Sequence, residues 1–512
     1  MGFPSTTQGV KRKMTGRKGK VITTLRKRHE VEAEIKRMLE SSEERDFLAR
    51  AAHIANYGRQ VIPVILKHLD TSDAQLLGVL GTIATYLDVE EITHALRAVA
   101  TGPNHSDHER MAALLILDRF LNQELDEELF TELRNPQEMA MQSLAEVLAE
   151  AEKNRFILLE YIYTLGEQPV EAVLTIMEAM RRLDRGRAVE PLRLLAQDER
   201  PPVAERAIQL LGKIRLKEAA RALQTLLPAV RPELGPLVER SLLKLRLSGV
   251  PVEPLPLPDR EWRALVSPPD GEGNRSVWFI NERPPCRFLR LLLNDAMGLQ
   301  MAFGDEGCAA ESLPPRSHLG FLHAFIVPES TPVLVMLEAD FDYGRHLVLE
   351  STARNLESGI PIPMEYRLFN DFLWGQDYSS VAKSQKPPSM SRAEALSLLP
   401  KMSLLLEHPA FNGWLIQNEI AYYRAARLMT QGDPPLELKN FIQDYFDNEI
   451  LSLYKTRLKA MSEWFIRAGD ERMARLALAA AMTIDDKPPE YHPLLRLLAG
   501  QSLKLALKLI KK

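Results

Sequence analysis

A short polar segment carries three side chains of the kinds that bind transition metals. His105, His108 and Glu109 lie within five positions of one another, and imidazole and carboxylate groups are common zinc ligands. The same segment contains Ser106 three residues before Glu109, which is the pattern of a helix N-terminal capping box. A tight zinc site would also need a further Cys or His group. We therefore expect a helix start here and no metal.

A second candidate is a set of alternating carboxylates, Glu338, Asp340 and Asp342, at the end of a predicted strand. Alternate residues of a strand project to one side, so these groups could hold a hard cation, with His346 nearby. A strand that runs out into a solvated turn predicts the same residue types. Both interpretations stay open, and we predict no metal site.

The two cysteines and the remaining short motifs do not predict an enzyme. Cys286 and Cys308 are too few for a disulfide framework and have no CxxC partner, so structural thiols are expected, with a reactive thiol as the alternative. The glycines at 271 and 273 lack the third glycine of a dinucleotide-binding loop, and no GxSxG motif occurs. We predict no catalytic residue and no cofactor.

Positive charge is concentrated at the N-terminus. Residues 1–29 contain nine basic side chains and no acidic one, and since the whole chain carries −4, the remainder carries −13. Such a segment has little apolar surface to bury, so it is predicted to be largely disordered, and it could contact nucleic-acid phosphates. The nine candidates are Lys11, Arg12, Lys13, Arg17, Lys18, Lys20, Arg26, Lys27 and Arg28.

Length and composition indicate a globular protein of several domains. The chain has 512 residues, of which 45% are apolar and 26% charged, and a single core rarely grows so large. Its apolar runs are far shorter than the roughly 20 residues needed to cross a bilayer, so no transmembrane segment is predicted. No apolar leader follows the first residue, and a cytoplasmic location is expected.

Proline-rich joints and helix-start patterns suggest where the domains divide. Prolines recur through 250–258, where each removes a backbone donor and excludes helix, and a second polar joint precedes Ser391 and Glu394, which form another capping pattern. Strand-like runs at 262–266, 276–280 and 288–293 lie between the joints. The predicted divisions are a basic tail at 1–29, a helical region at 30–249, linkers at 250–258 and 383–390, an α+β domain at 259–382 and a helical domain at 391–512.

The helical region also repeats. Leu80-Gly81, Leu165-Gly166 and Leu211-Gly212 end predicted helices at intervals of 85 and 46 residues, which fit one period of about 42 to 46 residues. The stretch 188–227, with Pro191, Asp198 and Leu211-Gly212, resembles the HEAT-repeat family. The resemblance covers 41–249 and implies an armadillo-like α-solenoid, so the expected fold class is mainly α: a solenoid, a small α+β domain and an all-helical C-terminal domain.

The resemblance implies classes of function and no particular role. HEAT-repeat proteins are mainly scaffolds and adaptors, some bacterial relatives are bilin lyases or DNA glycosylases, and fold does not fix function. Our first hypothesis is a non-catalytic scaffold that binds a protein partner through the solenoid surface. The alternative is a nucleic-acid- or ribosome-associated protein that uses the basic tail, and a bilin-lyase-like enzyme is more remote. Residues 293–304 resemble only a segment of bacterial proteins with no assigned activity.

Overall fold

The chain is mainly helical and carries one small antiparallel sheet. The structure, a computed structural model, describes residues 27–28, 30–39, 44–71, 74–102, 104–123, 136–325, 334–379, 381, 389–430 and 432–511. It divides into two compact units, Met1–Val147 and Leu148–Lys512. The domain boundaries expected from the proline-rich joints stay predictions.

The first unit is built from short amphipathic helices. Helix α5 packs against α6, and α4 contacts both α2 and α6. Their apolar faces meet in one core, in which Leu80, Leu96 and Leu117 are almost completely buried. The helices are α1 (residues 30–39), α2 (Glu44–Ala55), α3 (Ile62–Lys67), α4 (Ala74–Ala84), α5 (Val89–Thr101) and α6 (Asp107–Arg119).

Two of the helix starts expected from the sequence are confirmed. The Ser106 hydroxyl accepts a hydrogen bond from the Glu109 N–H at 3.1 Å, and the Glu109 carboxylate accepts one from the Ser106 N–H at 2.9 Å, so both halves of the capping box form. Ser391 likewise accepts from the Glu394 N–H at 3.2 Å. Ser41 with Glu44 is a third capping pattern that predicts a helix start, and Ser41 lies outside the described residues.

The second unit begins with helices, several of which pack against the helix two places further along the chain. Helix α11 contacts α9 and α13, α10 contacts α12, and neighbours in sequence such as α10 and α11 also pack together. From α9 to α13, contacts therefore join each helix to the next but one. The helices are α7 (Pro136–Ala151), which contains the boundary of the units, α8 (Phe156–Glu167), α9 (Val170–Leu183), α10 (Val189–Leu195), α11 (Pro201–Leu211), α12 (Lys217–Leu226) and α13 (Gly235–Leu247).

The sheet that follows has six antiparallel strands in the order β4-β3-β2-β1-β6-β5. The first four strands form a meander, of which the sequence predicts the first three strands, and β6 returns to pair with β1. The strands are β1 (Arg263–Val266), β2 (Asn274–Asn281), β3 (Arg287–Asn294), β4 (Gly298–Glu306), β5 (Leu322–Phe325) and β6 (Leu334–Ala339).

Helix α14 (Phe341–Ser358) covers one face of the sheet. The approach is close at Gly344, where an added Cβ would lie 2.6 Å from the Phe279 ring and 3.0 Å from the Ala264 side chain. Two short helices follow, α15 (Met364–Phe369) and α16 (Asp371–Trp374). The buried Trp374 indole donates to the Tyr366 hydroxyl at 2.9 Å and joins these two helices.

The C-terminal part is helical, as predicted, and it packs on the sheet. The Trp464 indole donates to the Val266 carbonyl and the Trp414 indole to the Pro269 carbonyl, both at 2.9 Å. The helices are α17 (Arg392–Leu398), α18 (Ser403–Glu407), α19 (Glu419–Thr430), α20 (Pro434–Tyr445), α21 (Asn448–Arg467), α22 (Glu471–Thr483) and α23 (Pro493–Ile510).

One predicted helix is wrong in length. The apolar spacing predicts a single helix over 436–467, but the chain breaks between α20 and α21. The Asp447 carboxylate accepts a hydrogen bond from the Ile450 N–H at 2.8 Å, which starts a new helix. A helix N-cap requires a residue outside the helical conformation, so the capping aspartate ends one helix and begins the next.

The close approach at Gly344 predicts a loss of stability on adding a single methyl group. We expect Gly344→Ala to lower the free energy of unfolding by about 1 to 3 kcal/mol, because overpacking of a tight contact outweighs the better helix propensity of alanine. Gly166→Ala in α8 is the control, since an added Cβ there meets nothing within 4 Å, and it should be neutral or stabilising. Urea unfolding measures both variants, and equal effects would refute the packing argument.

Candidate functional site

The largest of the cavities described in the second unit is a groove of about 680 Å³ beside helices α10 and α12. Its other walls are the proline-rich segment that follows α13, contributing Pro251, Pro254 and Pro256, and Asp371 at the start of α16. We call this space the junction groove, because its walls come both from helices α10 and α12 and from segments close to the sheet in sequence.

Small side chains on α12 leave the space open. Ala220, Ala222 and Thr225 line the groove and are almost fully buried. The other side of this helix is filled by Leu223 and Leu226, which are completely buried. An alanine-rich face on a helix whose opposite face is tightly packed can accept further chain without disturbing the core.

The proline-rich segment forms its wall of the groove without helix or strand. Its carbonyl groups accept hydrogen bonds from surrounding elements: Gln224 of α12 donates its side-chain amide to the Glu253 carbonyl at 2.9 Å, and the Asp377 N–H donates to the Pro256 carbonyl at 2.7 Å. The chain itself therefore supplies a segment of extended, irregular backbone to the wall of the groove, and this segment is held through its carbonyl groups.

A network around a buried arginine forms the floor. The Arg193 side chain is 3% exposed and donates to Asn370 Oδ1 at 2.6 Å, to Glu190 Oε1 at 2.7 Å and to the Leu368 carbonyl at 3.0 Å. Helix α10 is thereby joined to the chain between α15 and α16.

Arg155 forms a second layer of the same network. Its guanidinium donates to the Leu368 carbonyl at 2.7 Å and to Glu190 and Asp371 at 3.1 Å, and it lies 5.0 Å from the centre of the Phe369 ring. Burial alone would raise the pKa of Glu190, but Arg193 and Arg155 together lower it to about 2. Glu190 is therefore ionised under all ordinary conditions.

The rim of the groove has charges of both signs. Lys217 and Glu218 stand at the start of α12 with side chains 81% and 54% exposed. Arg221 lies deeper, where burial lowers its pKa, and donates to the Gly375 carbonyl at 2.9 Å. The lining therefore combines the apolar face of α12 with charged groups at the floor and the rim, and surfaces that bind protein segments have such a mixture of apolar and polar groups.

The alternating carboxylates do not form a cluster. Glu338 is buried and accepts from Arg263 at 3.1 Å and from His323 at 2.7 Å, when that ring nitrogen carries a proton. Asp340 caps α14 by accepting from the Tyr343 N–H at 2.7 Å. Asp342 pairs with Arg345. The three groups have separate structural partners, so the interpretation as a strand end fits their positions better than a cation site.

The histidine segment is also accounted for by local structure. The His105 ring and the Glu109 carboxylate are 3.1 Å apart, and that carboxylate completes the capping box of α6. Within the residues that the structure describes, no group of three or more His, Cys, Asp and Glu side chains is arranged to hold a metal ion.

The two cysteines are neighbours at the ends of β3 and β4. Their sulfur atoms lie 2.8 Å apart, and both thiols are free. Burial, followed by the neighbouring Cys286, raises the pKa of Cys308 to about 12. Little of the Cys308 thiolate exists at neutral pH, which disfavours a role as a nucleophile.

Only two of the nine basic tail residues fall within the described structure. Lys27 and Arg28 are helical and lie just before α1. The proposed phosphate contacts of the others lie outside the described residues and stay predictions: Lys11, Arg12, Lys13, Arg17, Lys18, Lys20 and Arg26.

Comparison of the chain with known protein families, with curated proteins and with solved structures finds no match. No helix in the described ranges is long and apolar enough to cross a membrane. The HEAT resemblance therefore stays a prediction, and function must be argued from the geometry of the groove.

The charge network predicts a pH dependence of stability. Because the pKa of Glu190 is near 2 in the folded chain and 4.5 ordinarily, its contribution is present above pH 4.5 and is lost as the pH falls toward 2. We expect Glu190→Gln to cost on the order of 1 to 2 kcal/mol at neutral pH, allowing for partial exposure, and less as the medium becomes acidic.

Urea unfolding of wild type and variant between about pH 3 and 7 measures this difference. The control is Glu218→Gln, which removes an exposed carboxylate at the start of α12 and should change stability little at any pH. A Glu190→Gln penalty that stays constant down to pH 3 would show that the carboxylate is not held ionised by the two arginines.

Proposed function

We propose that the protein is a non-catalytic adaptor that binds an extended segment of a protein partner in the junction groove. The observation that carries the proposal is that a stretch of the chain's own extended backbone, 251–256, forms a wall of this groove and is held there through its carbonyl groups. An extended external segment requires the same features, namely donors for its backbone and an apolar floor for its side chains.

The packing of the helices supports the scaffold half of the proposal. Contacts between each helix and the next but one, seen from α9 to α13, are those expected when helical hairpins stack into a HEAT-like solenoid. In such an array the helices of one row form a continuous surface. Helices α10 and α12 belong to one row, and the groove lies along them.

The side chains of the groove suit a peptide better than a small apolar molecule. Gln224 and Arg221 supply donors, Ala220 and Ala222 supply a shallow apolar floor, and Lys217 stands exposed at the rim. A segment with small or proline side chains, similar to the chain's own Pro251 to Pro256, would fit along this floor.

Two matched lysines allow a direct test. Lys217 lines the groove, whereas Lys213 is exposed but does not. A photo-crosslinking residue at each position, followed by mass spectrometry of host extracts, should give a specific partner segment from position 217 that is insensitive to nuclease and absent from position 213.

The crosslinked segment, made as a labelled peptide, should then bind the purified protein in a fluorescence anisotropy titration. We expect Lys217→Trp to weaken binding by about tenfold or more by blocking the rim, and Lys213→Trp to leave it unchanged. Equal binding by both variants, or crosslinks that consist of nucleic acid, would overturn the proposal and favour the basic tail as the binding element.

A further inference from the structure

A second cavity, of about 310 Å³, lies between the sheet and helices α14 and α21. One face of α14 lines it, because Tyr343, His346, Glu350 and Arg354 recur at intervals of three or four residues. The turn before β2, the turn between β3 and β4 and one face of α21 form the remaining walls. The cavity is thus enclosed by four elements of the second unit and is separate from the junction groove.

Three positively charged side chains from three different elements reach this cavity. They are Arg275 of β2, Arg354 of α14 and Lys459 of α21. Within the described parts of the chain none of the three makes an ion pair or a side-chain hydrogen bond. Other arginines of the sheet and of α14, such as Arg263, Arg287 and Arg345, form ion pairs. Three cations without such a partner at one cavity make a local concentration of positive charge that suits an anion.

Two hydroxyl groups line the same cavity. Tyr343 and Ser351 are 2% and 5% exposed as whole residues, and neither hydroxyl has a hydrogen-bond partner among the described residues. A ligand oxygen in the cavity would therefore find two hydroxyl donors beside the three cations.

The wall of the cavity is held rigidly by a different ion pair. Arg457 of α21 is 6% exposed and binds Asp295 through two hydrogen bonds of 2.7 and 3.0 Å and the Gly271 carbonyl at 2.6 Å. This pair fastens α21 to both turns of the sheet. The backbone elements that carry Lys459 and line the sheet side of the cavity are therefore held together.

Negative charges also border the cavity. Glu350, whose side chain is 55% exposed, lies 3.5 Å from the His346 imidazole, and Glu463 contributes a further carboxylate. With Arg457 and Asp295 neutralising each other, three cations face two carboxylates. This small excess of positive charge suits a small anion better than a long polyanion such as nucleic acid.

We propose that this cavity binds a small molecule through an oxyanion group, either a phosphate or a carboxylate, held by Arg275, Arg354 and Lys459 together with the Tyr343 and Ser351 hydroxyls. Guanidinium groups bind both kinds of oxyanion with charge-assisted hydrogen bonds. The volume lies at the lower end of the range for small-molecule sites, which sets the ligand class as a compact metabolite.

The test uses pyrophosphate and citrate as probes, titrated calorimetrically into the full-length protein at constant ionic strength. We expect saturable binding of at least one probe, and the stronger one identifies the site as phosphate-selective or carboxylate-selective. Arg275→Gln should weaken that binding by about tenfold or more, since it removes a charged donor, and Tyr343→Phe should weaken it while leaving the ring in place over Arg467.

Arg290→Gln is the matched control, because Arg290 is an exposed arginine of the same sheet that lies beside Trp278 and outside the cavity. It should leave binding unchanged. Circular dichroism and thermal unfolding establish that each variant is folded, and Lys459→Gln replaces Arg275→Gln if the latter is not. Absence of saturable binding by both probes, or binding that all cavity variants retain at wild-type strength, would overturn the proposal.

Discussion

The burial of one guanidinium group, that of Arg193, is the constraint on which the second unit depends. Removing an arginine from water is costly unless every donor finds an acceptor and its charge is balanced. Here the acceptors are Glu190 on the same helix and Asn370 and the Leu368 carbonyl, which lie more than 170 residues further along the chain. If α10 separated from α15 and α16, the guanidinium would keep Glu190 but would lose its Asn370 and Leu368 acceptors.

The junction groove is a consequence of that attachment. Arg193 and Glu190 belong to α10 and line its floor, and Asp371, which binds Arg155, lines its opposite side. The groove therefore has walls from two regions of sequence that the charge network helps to hold together. The same principle operates at the other side of the sheet, where Arg457 and the Trp464 indole donate to backbone carbonyls of the β1 to β2 region.

Periodicity in the sequence predicts most elements, because helix and strand spacing report which face is buried. Helices near 106 and 391 begin close to where their capping residues indicate. Strand β4 is not predicted, since its glycines and small residues at 298, 302 and 304 obscure the alternation. The break at Asp447 is also missed, because apolar spacing continues across it and only the cap interrupts the helix.

The candidate sites were harder to predict than the elements. The sequence directs attention to neighbouring histidines and alternating carboxylates, whose partners prove to be local caps and ion pairs. The residues that form the groove and the oxyanion cavity are dispersed, from 186 to 371 and from 269 to 463. A weak signal did exist: Arg193 stands within Pro191 to Leu195, and Asn370 and Asp371 interrupt an apolar run, as buried polar residues with distant partners do.

Native-state hydrogen exchange of Arg193→Met tests the central claim most directly, because it measures opening of each element separately. The control is Arg206→Met, which removes a partly exposed ion pair between Arg206 of α11 and Glu178 of α9. The account predicts that α10 and the chain from 364 to 374 lose protection together, by about 3 kcal/mol, and that the control leaves both unchanged. Loss of protection confined to α10, with 364 to 374 as stable as in wild type, would contradict it.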